Sequence, residues 1–289
     1  MPDRLLRVTA PASSANLGPG FDCLAVALEL RNEVVVSVSG GDGVDIHVEG
    51  EGAERVATDA SNLFVRAFAA AGADPAGLSF RMTNRIPLAR GLGSSAATIA
   101  AGVAAGQAWA GREADPLPDA ATLEGHPDNV AAALLGGVTV AWNATTGARA
   151  LRLPSCPVDF VCMVAADELE TSRARAALPA QVDHADAVHT AGRAALLVAA
   201  LDAGRADVIA EALDDRLHEP FRAPLVPLLA AVRGRLAGLS AYGATLSGAG
   251  PSVLVWCEPG SGDAVAAGLD GLGARPIPLA VADRGVTVG

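Results

Sequence analysis

The sequence of 289 residues contains no lysine, and all 21 of its basic residues are arginines. This absence excludes several kinds of active site. A Schiff base to pyridoxal phosphate, the lysine of a Walker motif and the strand lysine of protein kinases each require a lysine side chain. A phosphate site in this chain must therefore be built from backbone N–H groups, a helix N-terminus, arginine or a metal ion.

Aromatic residues and cysteines are also scarce. Aromatic residues make up 3% of a chain that is 51% apolar, so the core must consist mainly of alanine, valine and leucine. None of the cysteines lies in a CxxC pair, which argues against a zinc site or a disulfide framework and favours the cytoplasm. They are Cys23, Cys156, Cys162 and Cys257.

Long apolar runs and a positive net charge are missing as well. No run approaches about 18 apolar residues, and the N-terminal segment lacks the apolar stretch of a signal peptide. We therefore expect neither a membrane span nor export. The net charge of −11 disfavours nucleic acid and anionic membrane surfaces as partners.

Strand and helix patterns are mixed along the chain without a strict βαβ repeat, which predicts an α+β fold. Strands are expected at 5–10, where Pro11 ends the first one, and at 32–39, 44–48, 78–86, 138–142, 159–165 and 253–256. Helices are expected at 62–71, 94–110, 119–124, 130–135, 185–203, 206–213, 224–236 and 263–272. Periodicity fades over 143–157, so we place a domain boundary at residue 145, which gives domains 1–145 and 146–289.

The most informative segment joins the strand at 78–86 to the helix at 94–110. Its glycines permit close approach of the backbone to a ligand, and the free N–H groups of the first helical turn favour an anion. Ser94 and Ser95 add hydroxyl groups for a phosphate oxygen or a metal. We interpret the segment as a phosphate loop; a capped helix after a tight turn is the alternative. It consists of Pro87, Leu88, Ala89, Arg90, Gly91, Leu92, Gly93, Ser94, Ser95, Ala96 and Ala97.

Two further segments are candidates for the same site. The glycine-rich loop at 243–252 precedes an apolar strand, and it can converge with the phosphate loop on one phosphate; a flexible connection is the alternative. In EGHPDN, at 124–129, Glu124 is a possible metal ligand, while Asp128 or Asn129 can contact a hydroxyl group. The alternative for this segment is the capped start of a helix at Val130. The other four histidines, at 47, 184, 189 and 218, have no ligand spacing and are interpreted as surface or satisfied residues.

Together with the N-terminal segment PASSANLGPGFD, these loops resemble the GHMP kinase superfamily, and within it the homoserine kinase family. Residues 11–22 match the family motif P-A-[ST]-x-A-N-L-G-x-G-F-D, and residues 87–97 match the superfamily motif P-x-x-x-G-L-G-S-S-A-A. Residues 247–253 match the third superfamily motif, and HPDNVAAALLGG matches the segment that closes the substrate pocket. The resemblance covers most of the chain. It implies an N-terminal domain like ribosomal protein S5 domain 2 and a ferredoxin-like C-terminal domain.

The resemblance also implies residue roles. The phosphate loop would bind the phosphates of ATP, Asn62 would lie near the adenine, and Ser95 and Glu124 would bind Mg²⁺. Ser95, Glu124 and Asn129 would be the catalytic residues. The pocket for L-homoserine would be lined by Asn16, Asp22, His126, Asn129, Arg175 in TSRAR and Arg222 in HEPFR, with both arginines near the carboxylate. Ala89 and Arg90 depart from the Gly and Ser of many members.

The resemblance implies transfer of the γ-phosphoryl group of ATP to L-homoserine. A sister kinase for mevalonate or a sugar, and a non-catalytic nucleotide-binding protein, remain alternatives. Arg175 and the pair Asn16 and Asp22 favour an amino-acid substrate, because a zwitterion requires one anion and one cation. A homodimer is compatible with the sequence.

Overall fold

The computed structural model describes residues 4–289 and contains two antiparallel-rich sheets with helices packed on them. The strands are β1 (Leu5–Asn16), β2 (Gly20–Val38), β3 (Asp45–Gly50), β4 (Leu78–Asn84), β5 (Val138–Ala144), β6 (Gly147–Arg152), β7 (Asp159–Ala165), β8 (Ala241–Leu246), β9 (Val253–Cys257), β10 (Ala274–Leu279) and β11 (Thr287–Val288). The helices are α1 (Leu63–Ala70), α2 (Ser94–Ala110), α3 (Leu117–Glu124), α4 (Asp128–Leu135), α5 (Thr171–Ala176), α6 (His184–Asp202), α7 (Ile209–Ala212), α8 (Glu219–Arg222), α9 (Pro227–Arg235) and α10 (Gly262–Gly268).

The first sheet is organised around the long strand β2, which pairs with β1, β4 and β5. Its path runs β11-β1-β2-β4-β3, and the hairpin of β5 and β6 branches from β2. Helix α2 packs on α1 very closely, because Gly102 and Gly106 leave room for the α1 backbone. A Cβ atom at Gly106 would lie 2.3 Å from the carbonyl oxygen of Phe68. This packing fixes where the N-terminus of α2 lies relative to the sheet.

The second sheet has the order β10-β7-β9-β8, and all its pairs are antiparallel. Phe160 on β7 and Trp256 on β9 form an edge-to-face pair 4.9 Å apart. Both are fully buried and belong to the same apolar cluster as Val8, Leu24 and Phe80 of the first sheet. One apolar cluster therefore extends across both sheets, and a second covers the other face of the second sheet. Both are built mostly from small and aliphatic side chains, as the composition requires.

The predicted end of β1 at Pro11 is wrong. The strand continues to Asn16, and its register with β2 shifts between Pro11 and Ala12. A proline lacks the N–H group that a regular ladder position requires, and a bulge removes that requirement. The extension matters because it carries β1 into the pocket described below.

The first sheet also continues past the predicted domain boundary at residue 145. Strand β6 pairs with β5 throughout, from Thr139 opposite Arg152 to Ala144 opposite Gly147. The boundary at 145 stays a prediction, and the strand pairing favours a division between β6 and β7. Strand β11 then returns to pair with β1, so the C-terminus lies on the first sheet. Within residues 4–289, no helix is both long and apolar enough to cross a membrane.

Candidate active site

Three loops from distant parts of the sequence meet at one end of β1. The Ser247 hydroxyl donates to the carbonyl oxygen of Gly91 at 2.6 Å, which joins the loop at 243–252 to the phosphate loop. The N–H group of Gly248 donates to the Ala15 carbonyl at 3.0 Å, and that of Ser13 donates to the Leu92 carbonyl at 3.1 Å. The two glycine-rich loops are therefore in contact, and the N-terminal segment lies between them. Their convergence on one phosphate stays a prediction.

Helix α2 points its N-terminus into the pocket that these loops enclose. Its first internal hydrogen bond is from the N–H group of Ala97 to Gly93, so the N–H groups of Ser94, Ser95 and Ala96 have no acceptor within the helix. No acidic residue lies in this first turn. The free N–H groups and the helix dipole together create a site for an anion such as phosphate.

Two glycines of the phosphate loop are required by their conformation and surroundings. Gly91 has a φ of 75° and Gly93 a φ of 62°, a left-handed region that is costly for other residues. A Cβ atom at Gly91 would lie 2.2 Å from the Ser247 carbonyl oxygen, and one at Gly93 would lie 2.1 Å from Ser13 Oγ. The close approach of the three loops therefore depends on these two residues.

Ser95 and Glu124 meet at the mouth of this anion site. The Ser95 hydroxyl donates to Glu124 Oε2 at 2.5 Å. Partial burial raises the pKa of the Glu124 carboxyl, and the Ser95 hydrogen bond and nearby His126 oppose that rise. Residues 4–289 contain no cluster of three or more His, Cys, Asp or Glu side chains suited to a metal ion. One carboxylate and one hydroxyl beside a phosphate site nevertheless fit Mg²⁺, which is usually held by one or two carboxylates plus substrate phosphates and waters.

Asp22 and Arg175 face each other across the same pocket. Two guanidinium nitrogens of Arg175 donate to the two carboxylate oxygens of Asp22, at 2.7 and 3.0 Å. The pair joins the start of β2 to α5, and about two fifths of each side chain is exposed. Asn16 shapes the loop: its Nδ2 donates to the Gly248 carbonyl at 2.7 Å, and its Oδ1 accepts from the Asp22 N–H at 3.0 Å. Asn16 thus lines the pocket and also holds Asp22 in place.

His126, Asp128 and Asn129 line the pocket at the start of α4. Asn129 Oδ1 accepts a hydrogen bond from the Ser13 hydroxyl at 2.9 Å, so its amide nitrogen remains to donate into the pocket. Asp128 is buried, and this burial raises the pKa of its carboxyl. Its Oδ1 accepts from the N–H of Asn129 at 2.6 Å.

Arg222 is a buried cation at the back of the pocket. Its side chain is 1% exposed, and its Nε donates to the Ala174 carbonyl at 3.3 Å. In the part of the chain that the structure describes, no carboxylate lies within 4.0 Å of its guanidinium. Burial and the charge of Arg175 lower the pKa of Arg222. A buried arginine that faces a pocket without a carboxylate partner is a strong site for a ligand carboxylate.

Several residues predicted to bind ATP lie outside the lining of this pocket, and Arg90, which belongs to the lining, binds protein groups. Asn62 is buried and caps α1: its Oδ1 accepts from Phe64 and Val65, and its Nδ2 donates to the Ala57 carbonyl at 2.7 Å. The proximity of Asn62 to adenine stays a prediction, but its Oδ1 already accepts hydrogen bonds from the backbone of α1. Arg90 binds the Ala166 carbonyl at 2.8 Å and Glu168 at 3.0 Å. The lining of the pocket does not include Asn62, Pro87, Leu88, Ala96 or Ala97.

Two lining residues, Leu169 and Thr171, were not predicted from the sequence. Leu169, Thr171 and the segment 248–250 complete the pocket wall. Thr171 begins the same TSRAR segment that contains Arg175, and 248–250 lies within the motif SGAGPSV, so both signals were present in the sequence. Leu169 has no such signal, because its position depends on how the loop after β7 packs.

Comparisons with known proteins relate the chain to one group of kinases. Residues 58–137 match the family model described as GHMP kinases N terminal domain, and residues 197–274 match the one described as GHMP kinases C terminal. Homoserine kinase of Streptomyces coelicolor is 45% identical over 96% of both chains. Homoserine kinase of Gloeobacter violaceus is 45% identical over 86% of both chains.

Solved structures agree with these sequence matches. The crystal structure of homoserine kinase from Cytophaga hutchinsonii covers 99% of this chain and 97% of its own, with a TM-score of 0.86 and 29% identity. A putative homoserine kinase from Listeria monocytogenes has a TM-score of 0.82 and 30% identity, and the match covers 98% of this chain and 99% of that one. Mevalonate kinase of L. major, with a TM-score of 0.75 and 14% identity, shares the fold. The predicted two-domain α+β fold is confirmed by these matches.

Proposed function

Because the chain belongs to the homoserine kinase family of the GHMP kinases, we propose that it transfers the γ-phosphoryl group of ATP to the hydroxyl of L-homoserine. The product would be O-phospho-L-homoserine for threonine biosynthesis. One observation carries the proposal: a helix N-terminus suited to phosphate opens into the same pocket as Asp22, Arg175 and Arg222. The pocket can therefore hold a phosphate donor beside a small zwitterion.

The donor would be held mainly by backbone groups. The N–H groups of Ser94, Ser95 and Ala96 would bind phosphate oxygens, and they need no lysine to do so. Ser95 and Glu124 would hold Mg²⁺, which when bound neutralises charge on the phosphates. Phosphoryl transfer depends chiefly on position and charge stabilisation, so these groups supply what the donor side of the reaction requires.

The acceptor would be held at both of its charged groups. Asp22 would bind the ammonium, and Arg175 and Arg222 would bind the carboxylate by charge-assisted hydrogen bonds. Asp22 and Arg175 neutralise each other in the free pocket. An incoming zwitterion brings one charge of each sign. Its ammonium can take the place of Arg175 beside Asp22, and its carboxylate can take the place of Asp22 beside Arg175, so the pocket gains no net charge. With both ends held, the hydroxyl is directed toward Asn129 and the phosphate site, and orientation of this kind lowers the barrier.

We propose that the reaction uses no obligatory protein base. The amide of Asn129 cannot accept a proton usefully near neutral pH, so it would orient the hydroxyl, which loses its proton late to the phosphate or to solvent. Asp128 is the main candidate for a protein base, because burial raises the pKa of its carboxyl. We expect Asp128→Asn to keep kcat within about tenfold of the unchanged protein, with Asp74→Asn on the surface as control. A loss greater than about 10³-fold, with folding and ATP affinity intact, would identify Asp128 as the base.

The activity is tested by following ADP formation with a panel of alcohols: L-homoserine, mevalonate and galactose. We expect Mg²⁺-dependent turnover of L-homoserine at least about 10²-fold faster, as kcat/KM, than of the others. Turnover of another alcohol would favour a sister kinase, and ATP binding without any turnover would favour a non-catalytic nucleotide-binding protein. The cytoplasmic location, the homodimer and the absence of nucleic-acid and membrane partners stay predictions.

A further inference from the structure

His218 is a buried titratable residue next to the pocket, and the proposed reaction gives it no role. Its side chain is 0% exposed. Its Nε2 lies 2.7 Å from the carbonyl oxygen of Gly18, and its Nδ1 lies 3.3 Å from a guanidinium nitrogen of Arg222. The ring stacks on Phe21 at a centroid distance of 5.0 Å, and the Arg222 guanidinium lies 5.0 Å from the same Phe21 ring.

These contacts determine which nitrogen of the imidazole carries the proton. Arginine can only donate, so Nδ1 must be the acceptor for Arg222. A carbonyl oxygen can only accept, so Nε2 must be protonated and donate to Gly18. Both contacts are satisfied by one neutral tautomer, and burial favours the neutral ring because it lowers the pKa of His218.

Two carboxylates, those of Asp215 and Glu219, hold the backbone around His218 in place. The carboxylate of Asp215 accepts hydrogen bonds from the N–H groups of Leu217, His218 and Glu219, at 2.8 to 2.9 Å. The buried carboxylate of Glu219 accepts from the N–H of Leu246 at 2.6 Å and from Arg233 at 2.5 Å. These bonds anchor α8 to the end of β8, so the imidazole has a fixed position from which to orient other groups.

We propose that His218 is a positioning residue that orients Arg222 toward the substrate carboxylate, with its Nε2–H bond to Gly18 locking the tautomer that makes Nδ1 an acceptor. This inference rests on the proposed function. Gly18 lies in the turn between β1 and β2, and Asp22 follows at the start of β2, so His218 also connects the segment that would bind the ammonium to the arginine that would bind the carboxylate. A guanidinium held by only a few neutral acceptors would otherwise sample several rotamers, and each misplaced rotamer would weaken carboxylate binding.

Two amide substitutions separate the contacts of the two ring nitrogens. In His218→Asn the side-chain oxygen can occupy the region of Nδ1 and accept from Arg222. In His218→Gln the amide reaches the region of Nε2 and can donate to Gly18, but nothing replaces the acceptor for Arg222. We expect KM for L-homoserine to rise at least about tenfold in His218→Gln and less than about threefold in His218→Asn, with KM for ATP within about twofold in both.

A double-mutant cycle tests whether His218 acts through Arg222. In an Arg222→Met background, His218→Gln should change KM for L-homoserine by less than about twofold, because the group that His218 orients is gone. His47→Gln, at an exposed histidine on β3, is the control and should change nothing. Additive effects in the cycle, or an Asn variant no better than the Gln variant, would reduce His218 to a structural role and overturn the inference. Failure of the unchanged protein to phosphorylate L-homoserine would instead refute the proposed function.

Discussion

Glu124 is partly buried and accepts a hydrogen bond from a hydroxyl group. Its ionised carboxylate is expected to lower the stability of the protein and yet to be required for activity. Burial raises the pKa of its carboxyl in the folded protein, so the ionised side chain costs stability. That cost appears as pH rises from the unfolded-state pKa of about 4.3 through the folded value and is present in full above it. Glu124→Gln removes the cost. We therefore expect the melting temperature at pH 7 to equal or exceed that of the unchanged protein, while kcat falls at least about 10²-fold.

Thermal unfolding and steady-state kinetics at saturating ATP and Mg²⁺ check both parts of this expectation. Glu49→Gln is the matched control, because Glu49 also accepts from a hydroxyl, that of Thr83 at 2.7 Å, but lies on the exposed surface of β3. Near-normal turnover in Glu124→Gln would show that Glu124 does not hold the metal ion.

The two parallel hydrogen bonds between Arg175 and Asp22 predict how strongly different substitutions weaken the binding of L-homoserine. Arg175→Lys should raise KM for L-homoserine nearly as much as Arg175→Ala, since a point charge cannot reproduce two parallel hydrogen bonds. Asp22→Asn should raise that KM roughly 10²-fold, from the loss of about 2–3 kcal/mol of charge-assisted bonding, while KM for ATP stays within about twofold.

A second arginine–aspartate pair provides the control for this series. Arg205 binds both carboxylate oxygens of Asp207 at 2.7 Å on the surface of the molecule. Arg205→Lys and Asp207→Asn should leave both KM values unchanged. If Asp22→Asn and Arg175→Ala also left KM for L-homoserine unchanged, this pocket would not be the amino-acid site.

At the scale of elements, the phosphate loop and the loop at 243–252 act as one unit. Gly91→Ala would place a Cβ atom 2.2 Å from the Ser247 carbonyl oxygen in a residue with a φ of 75°. The loops must then separate or the backbone must change, at a cost of roughly 1–3 kcal/mol. We expect KM for ATP to rise at least about tenfold, because the N–H groups of α2 lose their alignment with the phosphates.

The other end of α2 offers a matched control for Gly91→Ala. Gly111 also has a left-handed φ, 66°, but nothing lies within 4 Å of the position its Cβ would take. Gly111→Ala should therefore cost about 1–2 kcal/mol of stability and leave KM for ATP unchanged. Equal effects of the two substitutions on KM for ATP would show that the contact between the loops is unimportant for nucleotide binding.

Elements with strong local signals were predictable from the sequence. The bounds of α2 and β7 match their predicted ranges, and α1 begins at Leu63, one residue after the predicted start at 62. Strand β10 was missed because it contains Pro276 and Pro278, which lack N–H groups. Both prolines pair with β7 at the edge of the second sheet, where one side of the strand needs no donors. Strand β11 has only two residues, and its pairing with β1 depends on tertiary structure rather than on local sequence.

The candidate site shows the same division between local and long-range information. The motifs identified most of the lining residues, since each motif has a local shape. The pairing of Asp22 with Arg175 joins residues 153 positions apart, and the buried Arg222 lies over the ring of Phe21, which is distant in sequence. Such relations are set by packing of the whole chain, so neither could be predicted from spacing.

At the scale of the whole molecule, the first and last strands, β1 and β11, lie side by side in the same sheet. After β10 the chain returns to the first sheet, where the N–H group of Gly137 donates to the Ala282 carbonyl at 2.8 Å and that of Val286 donates to the Ala133 carbonyl at 2.8 Å. This C-terminal segment, residues 280–289, packs against the C-terminal end of α4. Helix α4 begins with Asp128 and Asn129, which line the pocket. The last ten residues therefore support this wall of the pocket through contacts with α4 that lie outside the pocket.

Gly285 provides a test of this long-range support. A Cβ atom there would lie 2.0 Å from the Leu134 carbonyl oxygen, so Gly285→Ala must displace α4 or the C-terminal segment. Overpacking of this kind costs about 1–3 kcal/mol, and we expect a fall in melting temperature of roughly 2–8 °C. A shift of α4 would also raise KM for L-homoserine several-fold with little change in KM for ATP, because Asn129 lies on that helix while the phosphate site lies on α2. Gly192→Ala, in open space within α6, is the control and should not lower the melting temperature. A destabilised Gly285→Ala protein with unchanged KM for L-homoserine would show that the C-terminal segment stabilises the first sheet without positioning α4 for catalysis.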